Sequence, residues 1–313
     1  MTVSKTMRAA LLASAATIAA GAALADGCDT VRFSDVGWTD ITSTTAATSI
    51  VLNALGYEAT TDLLSVPVTY TSLAEGNIDV FLGNWMPTME ADIAPYREAG
   101  TVEVIRTNLE GAKYTLATNE AGVAAGITDF GNITNAKDAL DAKIYGIEPG
   151  NDGNRLIQDM IASGSFGLDG FQVVESSEQG MLAQVARADE RGEPVVFLGW
   201  EPHPMNANFK MTYLSGGDDW FGPNYGGAVV DTNTRAGYSA ECPNTGKFLS
   251  NLVFSLQMEN EIMGAILNDG ADPTDAAKAW LAAHPEAWTP WLDGVTTKDG
   301  GDAVAAVTAA LAG

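Results

Sequence analysis

The sequence predicts an α/β protein of two lobes, joined by strands that cross directly between them and leaving a ligand cleft in the middle. Three observations predict it. Strand-like and helix-like segments alternate along the chain, the pattern of sheets covered by helices. The 313 residues exceed what one hydrophobic core usually organises. No low-complexity linker separates the two α/β units, so crossing strands rather than a flexible joint are expected to connect them.

The first segment reads as an address. Lys5 and Arg8 give a short positive stretch, residues 9 to 24 are an almost unbroken apolar run rich in Ala, and Ala23-Leu24-Ala25 fits a small-x-small cleavage site. The run is short for a membrane span and poor in Leu and Ile. Asp26, two positions before Cys28, spoils a lipoprotein signal. A cleaved signal peptide over 1–25 and a mature chain free in the periplasm are therefore expected.

Thr30–Val36 is β-rich and ends at Gly37. Thr39–Leu55 has helical spacing in Ile41, Ile50, Val51 and Leu55, with Thr39 and Asp40 as N-cap candidates. Ala59–Ser65 reads as a strand, Tyr70–Glu75 as a helix and Asp79–Leu82 as a short buried strand. This βαβαβ order predicts a mostly parallel sheet. A second unit begins near Tyr114: strands at Lys143–Ile147, Phe171–Val174 and Val195–Leu198 alternate with helices at Asn154–Ser163 and Glu178–Ala188. After Gly226–Val230 the chain turns helical, over Phe248–Leu267, Thr274–Ala283 and Ala303–Leu311. The expected division is a discontinuous first lobe of 26–113 with 226–313, and a second lobe of 114–225.

Composition narrows the function classes. A hydrophobic content of 46% excludes general disorder. Forty acids against 16 bases give a formal charge of −24, two units more negative once 1–25 is removed. Such a chain repels nucleic acid and anionic membranes. Two cysteines in an exported chain make a Cys28–Cys242 disulfide the default. With two histidines beside them, the thiols offer too few spaced ligands for a metal; no cofactor is expected either.

Aromatic residues recur where strands are expected to end. Trp38 stands in FSDVGWTD, Trp85 in VFLGNWMPT, Tyr114 in GAKYTLAT and Trp200 in VVFLGWEPH. Singly, each is as easily core or hinge packing. Together, Gly-flanked Trp residues at the carboxyl ends of separate strands form one wall of a cleft, where α/β sheets bind ligands. Rings facing a cleft can surround a methylated ammonium, each contributing about 0.5–2 kcal/mol of cation–π attraction. Asp40 is either a helix cap or a negative acceptor beside that cage. Asn151, in EPGNDGNRL, opens a helix after a Gly-rich turn that lacks the Gly-Lys-Ser/Thr ending of a phosphate loop. A positive helix terminus disfavours an ammonium, so Asn151 suits the polar end of a ligand.

GWTD, FLGNWMPTM, YGIEPGNDGN and FLGWEPHPMN, in this order and spacing, resemble the substrate-binding proteins of ABC transporters for choline and glycine betaine. The resemblance covers essentially the whole mature chain. It implies the bilobal fold of periplasmic binding proteins (type II-like), with the N-terminus tied by a disulfide. It implies a cage of Trp38, Trp85, Tyr114 and Trp200, with Asp40 and Asn151 at the hydroxyl end of choline. It further implies delivery of choline, and of acetylcholine if the cage admits it, to an inner-membrane ABC permease by a monomer. The alternative within the family is glycine betaine or another methylated osmolyte. Some betaine-binding relatives use a His near the position of His203 for the substrate carboxylate; here packing after Trp200 is the simpler reading. His284 shows no partner in the sequence. Lys113 adjoins Tyr114, but strand alternation turns it the other way.

An enzyme reading needs a nucleophile or a tuned carboxylate pair. No GxSxG is present, and a bridged Cys242 removes a Cys–His pair. Asp40 with Glu90 could serve as paired carboxylates of a hydrolase, though forty acids make accidental pairs abundant.

Overall fold

A computed structural model describes residues 26–313. The signal peptide read at 1–25 lies outside the described residues. No helix among the described residues is long and apolar enough to cross a membrane.

One nine-stranded sheet runs through the molecule. Its strands are β1 (Thr30–Asp35), β2 (Glu58–Leu63), β3 (Val80–Met86), β4 (Val102–Asn119), β5 (Lys143–Tyr145), β6 (Gln172–Val174), β7 (Val196–Glu201), β8 (Met211–Tyr213) and β9 (Gly227–Arg235). They lie in the order β2-β1-β3-β9-β4-β7-β5-β6, with β8 paired to β4. The expectation of a mostly parallel sheet is corrected. Within each unit the pairs β1–β2, β1–β3, β5–β6 and β5–β7 are parallel. Around β4 and β9 every pairing is antiparallel. The reason is that the chain passes between the units on strands instead of helices. The 18-residue β4 pairs with β9 from Val102↔Arg235 to Lys113↔Gly227, then with β7 from Lys113↔Glu201 to Thr118↔Val196. Strand β9 returns antiparallel beside β3. The molecule thus has two lobes sharing crossing strands.

Helices cover the sheet: α1 (Thr39–Ala54), α2 (Val66–Glu75), α3 (Glu90–Glu98), α4 (Asp152–Ser163), α5 (Glu178–Arg191), α6 (Pro243–Asn251), α7 (Leu256–Leu267), α8 (Pro273–Ala283) and α9 (Ala303–Ala312). The helix expected over Phe248–Leu267 is two helices, α6 and α7. Between them Phe254 N–H donates to the Asn108 carbonyl of β4, Trp291 Nε1 donates to the Val253 carbonyl, and Ser255 caps α7 through Met258 N–H. These tertiary bonds use backbone groups that a continuous helix would keep for itself.

Helix α1 lies between β3 and the pair α7 and α8 and is buried on nearly every side. That explains its Ser and Thr content: Ser43, Thr44 and Thr48 each donate to the carbonyl four residues back, so their hydroxyls are satisfied without water. A Cβ at Gly83 would sit 2.7 Å from Ile41 Cγ1, so glycine there lets α1 approach β3 closely. The late helices return to the first lobe, and the Cys28–Cys242 disulfide fixes that return across 214 residues of sequence, with Cα atoms 5.5 Å apart. Closing so long a loop is worth about 5 kcal/mol in the chain-entropy account.

Candidate ligand cage

All six residues singled out from the sequence meet around one cavity of about 250 Å³; Ile147 and Asp152 complete its lining. A wider opening of about 970 Å³ adjoins it and shares Trp38 and Asn151.

Two near-identical segments place the indoles. Residues 80–87 read VFLGNWMP and residues 196–202 read VFLGWEP. Each forms a central strand, β3 or β7, with its Trp near the carboxyl end. The sequence suggested indoles just past the strand ends; these two instead lie within the strands, and the Asn84 insertion is absorbed by a register shift between Phe81 and Asn84. This repeated FLG(N)Wx-Pro pattern was a legible signal of paired positions. Tyr114 lies on β4 opposite Trp200, and Trp38 stands between β1 and α1.

The four rings are at most 5% exposed. Ring centroids of Trp85 and Tyr114 are 6.0 Å apart at 59°, and those of Tyr114 and Trp200 are 6.3 Å apart at 82°. Neighbouring rings are thus inclined and bound a concave space. The Tyr114 hydroxyl donates to Asn151 Oδ1 at 2.9 Å. A Cβ at Gly153 would overlap that hydroxyl, so glycine is required where α4 begins beneath Tyr114.

Asn151 caps α4: its Oδ1 also accepts from Asn154 N–H at 3.0 Å. Its Nδ2 donates to Asp152 Oδ1 at 3.0 Å, which leaves a second amide proton without a protein acceptor. One side chain therefore caps α4 and still offers a spare amide donor at the cavity lining. Asp40 is different from the expectation. Neither it nor Thr39 caps α1, whose N-cap is Trp38. Asp40 Oδ2 accepts from Trp85 Nε1 at 3.1 Å, while Oδ1 is buried without a partner. Asp152 Oδ2 is likewise buried and unpaired. Asp152 was missed in the sequence, although it follows Asn151 directly.

The electrostatics are one-sided. Among the lining residues two are carboxylates and none is Lys, Arg or His. Burial, then the neighbouring Glu178 charge, pushes Asp40 up to about 8. Burial also raises Asp152 to about 6 and holds the Tyr114 phenol well above its usual value, keeping it a neutral donor.

His203 packs as expected, edge-on to Trp200 with centroids 4.8 Å apart, and lies behind the cage. His284 stacks on Trp280 and contacts its carbonyl. Lys113 turns away from Tyr114 and pairs with Glu201. Asp40 and Glu90 do not form a pair: Glu90 is on the surface, bound to Arg97. Among the described residues no cluster of three His, Cys, Asp or Glu side chains is arranged to hold a metal ion. The two sides of the cleft are bridged beside the cage by Arg155 of α4, which donates to Asp92 Oδ2 at 2.8 Å and to the Thr88 carbonyl at 3.1 Å.

Comparison with known proteins bears on this geometry. The family model for the substrate-binding domain of ABC-type glycine betaine transport systems matches residues 29–283. An ABC-transporter choline-binding protein solved with choline is 72% identical, with 91% of this chain and 99% of that chain covered and a TM-score of 0.91. An unliganded, semi-closed structure of an ABC-transporter choline-binding protein, also 72% identical over the same shares of each chain, overlays with a TM-score of 0.84. An uncharacterised protein, ORF1 of Chromohalobacter salexigens, is 52% identical over 134 residues, covering 43% of this chain and 86% of its own length.

Proposed function

This chain belongs to the family of substrate-binding domains of ABC-type glycine betaine transport systems, and from that premise we propose that it captures choline in the aromatic cage and delivers it to an ABC importer. The observation that carries the reading is the lining: aromatic faces and two buried carboxylates, with no cationic side chain. The trimethylammonium head sits among Trp38, Trp85, Tyr114 and Trp200, where water is excluded and cation–π attraction is strongest. The hydroxyl donates to the unpaired Asp40 Oδ1 and accepts the spare Asn151 Nδ2 proton.

Glycine betaine carries the same head but ends in a carboxylate. That group needs donors, preferably cationic ones. Beside Asp40 it would meet a like charge in a dry cleft. Choline is therefore the ligand, and a methylated osmolyte the alternative. Trp38, Asp40 and Trp85 belong to the lobe of 26–113 and 226–313, and Tyr114, Asn151 and Trp200 to the lobe of 114–225, so the cage is complete only when the lobes shut. The protein works in the periplasm after removal of its signal peptide, and its role is binding without a catalytic step.

Calorimetric titration with choline, acetylcholine and glycine betaine tests this. Choline is expected to bind at least about tenfold more tightly than glycine betaine, roughly 1.4 kcal/mol. Equal binding of the two gives the site to osmolytes. Small-angle scattering should show a smaller radius of gyration with choline, as the ligand draws the population to the closed form.

A further inference from the structure

Helix α1 begins without a cap of its own. Trp38 holds the N-cap position, and an indole has a donor but no acceptor. The first N–H groups of a helix need acceptors from elsewhere. Here the acceptor comes from the other side of the cleft. Thr39 N–H donates to Glu178 Oε2 at 2.7 Å, and the Thr39 hydroxyl donates to Glu178 Oε1 at 2.7 Å. Glu178 is the first residue of α5, 139 positions along the chain, and is fully buried.

Its carboxylate is held from behind as well. His203 Nδ1 accepts from Met205 N–H at 2.9 Å, which leaves the ring proton on Nε2. Nε2 lies 3.1 Å from Glu178 Oε1 and donates to it. The same imidazole packs on Trp200. Glu178 therefore links the Trp200 wall of the cage, through His203, to the start of the helix that carries Asp40.

We propose that Glu178 is the closing latch of the binding protein: it supplies in trans the N-cap that α1 lacks, so that shutting the lobes completes the cap and positions Trp38 and Asp40 around the ligand. The inference rests on the cleft-closing reading above. The Thr39 bonds exist only in the closed form; in the open form Glu178 and the end of α1 both meet water. They therefore favour one state over the other, as a latch must. The same charge disfavours closing on an empty cage. Asp40, Asp35 and Glu148 are each raised first by burial and in part by the Glu178 charge, and a quaternary ammonium in the cage supplies the opposing charge. Glu178 is not among the residues lining the cage and acts through Thr39, so it is a positioning residue.

Stopped-flow Trp fluorescence with choline separates this role from a general one. Charged hydrogen bonds of this kind are strong, and a latch slows opening, so the change should fall on dissociation. In Glu178→Gln, dissociation should quicken by about tenfold or more while association stays within about twofold. Thr39→Ala, which changes no charge, should quicken dissociation by roughly threefold or more, and Thr39→Ser should restore it. Melting of the unliganded protein should change little in the Thr39 variants. Parental dissociation in Thr39→Ala, with a defect confined to Glu178→Gln, would reduce Glu178 to a background charge and overturn the latch. If Glu178→Gln does not fold, the Thr39 pair decides alone. A parent protein that binds glycine betaine in place of choline overturns the functional reading, and the same rates are then measured with that ligand.

Discussion

Asp40→Asn probes the discrimination at its source. In the parent, Oδ2 is committed to Trp85 Nε1 and Oδ1 is buried with no protein partner. Asparagine can keep the Trp85 bond through its own oxygen. The amide nitrogen then replaces the unpaired acceptor and cannot receive the choline hydroxyl. The substitution removes one hydrogen bond to a charged group, worth about 1.5–3 kcal/mol, with little change in shape. Choline binding should therefore weaken by about 10- to 100-fold. Glycine betaine should lose less or gain, because the like charge facing its carboxylate has gone and the new amide can donate to it. The preference for choline should shrink or invert. Calorimetric titration of both ligands against both proteins measures all four affinities. A choline loss below about twofold, or an unchanged ratio between the ligands, would mean that Asp40 serves only to hold Trp85, and the account of specificity would be wrong.

Replacing Trp38, Trp85 or Trp200 by Ala should each weaken choline by about 1–3 kcal/mol through lost cation–π attraction and lost enclosure; parental affinity in all three folded variants would dismiss the cage. Asp40, held at about 8 with Glu178 and Glu259 facing it and no base among the cage-lining residues, carries a proton below that pH in the unliganded closed cleft. A bound cation favours its release, so choline affinity should rise from pH 6.5 to pH 8, by at most about tenfold per unit, and flatten in Asp40→Asn. The sign for stability is opposite while the cleft is shut: a carboxyl raised above its unfolded value binds more protons there, so the closed form without ligand loses stability as pH rises from about 4 to about 8. Intact mass should show no free thiol in the native mature chain, and reduction should cost up to about 5 kcal/mol of stability; two free thiols without reduction would contradict the Cys28–Cys242 bridge.

Much of this molecule was readable from local pattern. Period-two and period-3.6 hydrophobicity placed the strands and helices of both units, because those signals come from near neighbours in the chain. The clustering of the cavity-lining aromatics was legible for a similar reason: an indole one or two residues after Gly near the end of a strand is an unusual local arrangement, and FLGNW and FLGW display it twice. Two cysteines leave one possible intrachain pairing. Tertiary structure alone decided the rest. Nothing near Asp40 announces that its carboxylate will accept from Trp85, 45 residues away. Nothing near Thr39 announces an acceptor 139 residues away. The antiparallel pairing of β4 and β9, and the break between α6 and α7 where Phe254 turns to Asn108, depend on partners brought in by the fold. A buried polar group must find an acceptor, but its own segment states only the need. Which residue meets it is settled when distant parts of the chain close around the cleft.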